Sequence, residues 1–130
     1  MNKLNYKGRV RKRSLTKCKE VAKTYDPLMD AFAEMLEADD EIADIRCNVV
    51  LSGLTVPDAE GGYTSDFVCT KTDGLLMVRE CVYKKALLRP KTAKLLDASR
   101  AYWKRHGVED WGLVVEKGEA DADGADSEIR

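Results

Sequence analysis

Thr72-Asp73-Gly74 stands between two runs of strand-forming residues, 63–71 and 75–83, and forces the chain to reverse there as a β-hairpin. Two registers are open. A two-residue Asp73-Gly74 loop sets Asp66 opposite Cys81 and leaves Glu80 on the other side of the sheet. A three-residue Thr72-Asp73-Gly74 loop, with Gly74 in the left-handed bulge position, sets Lys71 opposite Leu75 and Asp66 directly opposite Glu80. Acids are disfavoured inside strands, so these two need a reason. Carboxylates facing each other with Cβ atoms ~4.5–5.5 Å apart repel unless a cation lies between them, and a hard ion such as Mg²⁺ is the natural neutraliser. Asp26 is the best-placed third acid. The competing reading is a solvated edge, or pairing with Arg79 or Lys85.

The other elements follow from periodicity. Ser14 is placed to cap a helix over residues 14–23, with Leu15, Cys18, Val21 and Ala22 at helical spacing. Tyr25-Asp26-Pro27 breaks the chain and starts a second helix: Asp26 caps, Pro27 takes the first helical position, and Leu28, Ala31, Phe32, Met35 and Leu36 form one apolar stripe. Glu34, Glu37, Asp39, Asp40 and Glu41 end it near residue 37 or 38 as solvated acids. Residues 45–56 are rich in β-branched side chains and read as a strand interrupted at Ser52-Gly53, with a turn over 57–62. A helix runs from about Pro90 through Trp103 and stops at Gly107, with His106 in its cationic last turn. Residues 111–115 are a short buried strand, central or parallel. The order helix, helix, strand, strand, strand, helix, strand describes an α/β domain in which a crossover helix adds one strand to an antiparallel meander.

At 130 residues the chain suits one domain. It has neither an apolar run of membrane-spanning length nor a signal-peptide pattern, so a soluble cytoplasmic protein with no membrane association is expected. The net charge of −1 hides a segregation. Residues 1–23 carry nine Lys/Arg against Glu20, a net of +8, and residues 116–130 carry two against six acids, a net of −4. Such a basic leader is suited to polyanions. Residues 1–13 read as a flexible arm ordered only on a partner, 14–116 as the domain and 117–130 as a disordered acidic tail. Cys18, Cys47, Cys69 and Cys81 have no CxxC pairing and a single histidine beside them, which argues against structural zinc and for free buried thiols.

The run from Asp26 to Glu116 resembles the PD-(D/E)xK nuclease superfamily, and within it the catalytic domain of TnsA-type transposon endonucleases. The helix Leu28-x-x-x-Phe32-x-x-Met35-Leu36-Glu37-x-Asp39, the strand Tyr63-Thr64-Ser65-Asp66-Phe67-Val68 and the acid Glu80 carry the resemblance. It implies a restriction-endonuclease-like mixed sheet with flanking helices. It also implies Mg²⁺- or Mn²⁺-dependent hydrolysis of DNA phosphodiesters, in a mobile element or phage, with Asp66 and Glu80 as metal ligands and Asp26 as auxiliary acid. The family lysine falls at Val82 here. Lys84, two residues further along the strand, or Lys91 or Lys94 from the following helix, would replace it. Phosphates would be met by Arg9, Arg11, Lys12, Arg13, Lys91 and Lys94. The resemblance further implies an assembly partner, such as a transposase, a phage component or a second copy. The alternative is a catalytically inactive nuclease-fold subunit that binds DNA or serves assembly.

Overall fold

The computed structural model describes residues 10–52 and 63–117. Helix α1 (Pro27–Ala38) starts as its sequence dictates, with Pro27 in the first turn and the Asp26 carboxylate accepting the Met29 N–H at 2.8 Å. Met29, Phe32, Ala33 and Leu36 are its buried stripe. The main sheet has the order β3 (Ile42–Val50), β4 (Thr64–Lys71), β5 (Leu76–Cys81), β6 (Asp110–Val114). The first two pairings are antiparallel and β5 to β6 is parallel. Helices α2 (Lys84–Leu87) and α3 (Pro90–Arg105) make the crossover between the parallel strands.

The helices cover the two faces of the sheet. On one, Met29, Phe32 and Leu36 of α1 pack on Ile45, Phe67, Cys69, Met77 and Cys81, with Phe32 edge-on to Phe67 at 5.5 Å. On the other, Leu95 and Trp103 of α3 pack on Leu51, Tyr63, Val68 and Val78. β3 changes face at Asn48, whose φ of 55° lies in the left-handed region that Asn tolerates better than most residues. Cys47 therefore packs with the α1 core and Val49 with the α3 core. β4 switches alongside it, since Phe67, opposite Cys47, is in the α1 core while Ser65, opposite Val49, reaches Ser99 of α3. The switch in β4 is centred on Asp66.

Several expectations are corrected. Residues 14–23 form no helix: a turn leads into β2 (Ala22–Thr24), which pairs antiparallel with β1 (Arg11–Arg13). Burial there alternates, with Ala22 and Thr24 inside and Lys23 out, and Val21, which helical spacing would bury, is exposed. The supposed arm thus forms a strand from Arg11 to Arg13, while residues 1–9, Arg9 among them, lie outside the described residues. The acids of α1 hold this stretch. Arg11 bonds Asp30 at 2.8 Å, Arg13 bonds Asp30 at 3.0 Å and also Glu34, and Glu37 accepts from the Thr16 and Lys17 amides. Glu37 also takes the Thr16 hydroxyl, the main reason its pKa falls below the ordinary carboxylate value. These acids are partners rather than merely solvated.

The third strand begins at Ile42, three residues earlier than expected, because Asp39 folds the chain back by accepting the Ile42 and Glu41 amides. Residues 53–62, and the tail from 118, fall outside the described residues. The second hairpin strand stops at Cys81 rather than Tyr83. The last strand is parallel, as expected, and α3 ends at Arg105, with Gly107 just beyond it at a φ of 84°. Among the described residues no helix is long and apolar enough to cross a membrane.

The hairpin takes the three-residue form: Gly74 donates to the Lys71 carbonyl at 2.8 Å with φ of 90°, and Lys71 donates to Leu75. A methyl group on the Gly74 Cα would meet only open space, so backbone strain alone opposes a side chain there. Gly74→Ala is expected to cost about 1–2 kcal/mol, seen as a lower urea midpoint at unchanged slope; an unchanged midpoint would show that the turn tolerates a side chain.

Candidate functional site

The Phe67–Arg79 pairing carries the register on to Asp66 and Glu80 as the next facing positions. There the carboxylates take over from backbone carbonyls. The Asp66 N–H donates to Glu80 Oε1 at 2.9 Å, and the Cys81 N–H donates to Asp66 Oδ2 at 2.8 Å. The face switch in β4 turns its peptide groups away from regular pairing, and the two acids restore acceptors where the ladder lapses. Sequence reasoning asked why acids sit inside these strands. Their bonds to backbone amides supply a physical reason.

Glu80 also reaches toward α3. Its Oε2 accepts from the Ser65 hydroxyl at 2.6 Å and the Ser99 hydroxyl at 2.7 Å. The indoles complete the chain of bonds: Trp103 Nε1 donates to Ser65 at 2.9 Å and Trp111 Nε1 to Ser99 at 3.1 Å. Both Asp66 and Glu80 are 0% exposed. One buried carboxylate therefore ties β4, β5, α3 and β6 together through neutral donors. Sequence reasoning missed Ser65, Ser99, Trp103 and Trp111 as its partners; buried tryptophans that need an acceptor were the available signal.

The other expected residues have other duties. Asp26 caps α1. The Tyr83 hydroxyl accepts the Leu28 N–H at 3.1 Å, which sets the start of α1 beside the end of β5. Lys84 opens α2, its N–H donating to Glu116 at 2.8 Å, so the alternation argument that put it on the strand face of Glu80 fails. Lys91 and Lys94 are exposed on the outer side of α3, away from Ser99 and Glu80. Among the described residues no group of three or more His, Cys, Asp or Glu is arranged to hold a metal ion. Arg79, a competing partner for the acids, instead joins Lys71 on Asp110 at 2.8 and 2.9 Å. Burial pushes the Asp110 pKa up, and these two cations bring it below its ordinary value.

Charge is distributed differently from expectation. Arg11 and Arg13 spend their guanidinium groups on α1, and Lys17 Nζ caps its C-terminal carbonyls at Leu36 and Asp39, which leaves Lys12 exposed in β1. Lys19, Lys23 and Arg46 are exposed as well, and a denser set of cations lies on α2 and α3. Lys85, Arg89, Lys91, Lys94, Arg100, Lys104 and Arg105 are all exposed, and among the described residues none forms an ion pair. Asp97 is the one acid within α3. Arg100 and Lys104 also line a cleft of about 280 Å³ with Val108, Glu109 and the half-buried Trp111. Sequence reasoning singled out only Lys91 and Lys94 here, although the Lys/Arg excess over residues 84–105 was countable. No protein-family model matches the chain, and no curated protein is similar to it.

Ser99→Ala removes one hydroxyl from Glu80 and strands the Trp111 N–H, so stability is expected to drop by about 1–3 kcal/mol. Denaturant titration of Ser99→Ala, Ser65→Ala and the double variant checks this. Strictly additive losses would contradict a shared network.

Proposed function

We propose that this chain is a DNA-binding subunit with a nuclease-type fold that does not itself cut, and that it holds the phosphate backbone on the outer face of α2 and α3. The free cations of that face carry the reading. Seven exposed Lys/Arg, five of them on α3 with Asp97 as the one acid of that helix, make a positive surface along a helix about 24 Å long, enough to meet several phosphates. The Arg100–Lys104–Trp111 cleft adds an aromatic surface between cations, suited to an unstacked base. The order of α1, β3, β4, β5, α3 and β6, with the last strand parallel, supports the restriction-endonuclease-like expectation.

The buried acids do not fit the Mg²⁺ or Mn²⁺ ion that the resemblance implies. A hydrated divalent ion needs carboxylate lone pairs and room for its waters. Glu80 Oε2 already accepts two hydroxyls, backbone amides bond Glu80 Oε1 and Asp66 Oδ2, and both side chains are sealed from solvent. The cleavage reading, with Asp66, Glu80, Asp26 and Lys84 in their family roles, keeps two observations in its favour: the facing register of the acids, and the Tyr83 contact that brings the start of α1 to the end of β5.

One set of measurements separates the readings. Under the binding reading, Arg100→Glu with Lys104→Glu weakens DNA retention at least tenfold and lowers the slope of log K against log salt by about 2. Supercoiled plasmid stays intact in Mg²⁺ or Mn²⁺. Nicking that disappears in the near-isosteric Glu80→Gln variant would establish cleavage instead, and retention unaffected by the double charge reversal would remove the α3 face from the interaction.

A further inference from the structure

A cavity of about 750 Å³ opens between residues 18–25 and β3, and both Cys18 and Cys47 line it. The Ile45 N–H donates to the Lys17 carbonyl at 2.9 Å, which lays the turn at Lys17 along β3. Cys47, two residues beyond Ile45, shares its side of the sheet, and both Cys18 and Cys47 pack against the α1 core. The two thiols lie near enough to influence each other's titration. No metal cluster explains the pairing among the described residues, and the nucleic-acid reading does not use it.

We infer that Cys18 and Cys47 form a modification site, a thiol pair that a small disulfide of the glutathione class closes into an intramolecular disulfide. Cys69 and Cys81 lie deeper: Cys69 is fully buried, and burial pushes its thiol up to about 12. Cys18 is the attacking group, since it sits on the turn that lines the cavity while Cys47 is held within β3. Its thiolate attacks one sulfur of the small disulfide and expels one thiolate. Cys47, after losing its proton, attacks Cys18 in the mixed disulfide and expels the second. Two protein thiols lose two protons and two electrons, and the reagent is reduced to two thiols. Burial raises the thiols of both Cys18 and Cys47, so closure is slow at neutral pH. The new bond would pin the turn before β2 to β3 and close a loop around α1.

The full chain is incubated with oxidised glutathione at about pH 8.5 and mapped without reduction. The expected product is a Cys18–Cys47 linked peptide, two hydrogens lighter than the reduced pair and reversed by dithiothreitol. The thermal midpoint should rise by about 5 °C. Cys18→Ser should yield no internal disulfide and no such rise. A bond through Cys69 or Cys81, a mixed disulfide on Cys18 that never closes, or no reaction would each overturn the assignment. None of these outcomes depends on whether the chain binds DNA.

Discussion

A carboxylate at the centre of the sheet governs the rest of the structure. Glu80 is wholly buried and, for an ionised group, that position costs several kcal/mol unless donors surround it. Its donors include the Ser65 hydroxyl, the Ser99 hydroxyl and the Asp66 amide. Because Ser99 is on α3, the helix is locked in rotation as well as position. Trp103 and Trp111 then find acceptors in the serines, so two large side chains enter the core without an orphaned indole N–H. Hydrophobic contact alone would allow α3 to slide along the sheet; hydrogen bonds of 2.6 to 2.9 Å at Glu80 do not.

The same local need explains why both acids stand on adjacent strands. Regular pairing lapses where β3 and β4 change face, at Asn48 and Asp66. A buried amide left without an acceptor there would cost about 1–3 kcal/mol. Asp66 and Glu80 supply acceptors to the Cys81 and Asp66 amides. Two facing carboxylates are therefore compatible with a structural role, and their proximity is not by itself a sign of catalysis. The sequence pattern that resembles a nuclease and the bonding pattern that resembles a strand splice occupy the same residues.

How much of this was legible from the sequence depended on the range of the interaction. The cap at Asp26, the proline after it and the apolar stripe of α1 are local, and they form as read. The hairpin register is local too, once Gly74 is recognised as the residue that must adopt positive φ. Residues 14–23 misled because a few apolar side chains at helical spacing say nothing about Glu37 of α1, which holds the turn at Thr16 and Lys17, or about the pairing of β2 with β1. The serines of the Glu80 network were not marked for the same reason, although the tryptophans signalled a need for acceptors. Ser65 and Ser99 are separated by 34 residues, and neither serine differs locally from a solvated one.

Charge followed a comparable logic, since a count along the chain measures supply and the fold decides what is left over. The basic N-terminal stretch and the acidic helix looked like two independent features. In the fold Arg11 and Arg13 neutralise Asp30 and Glu34, so the strongest run of positive charge contributes less to an external field than its composition suggests. The cations of α2 and α3 are fewer but have no such partners, and they project from one side of a rigid helix whose other side is fixed by Leu95, Ser99 and Trp103. Those charges are spread over the exposed side of a helix fixed in position. That is why the proposed binding reading rests on Arg100 and Lys104 rather than on Arg11 and Arg13.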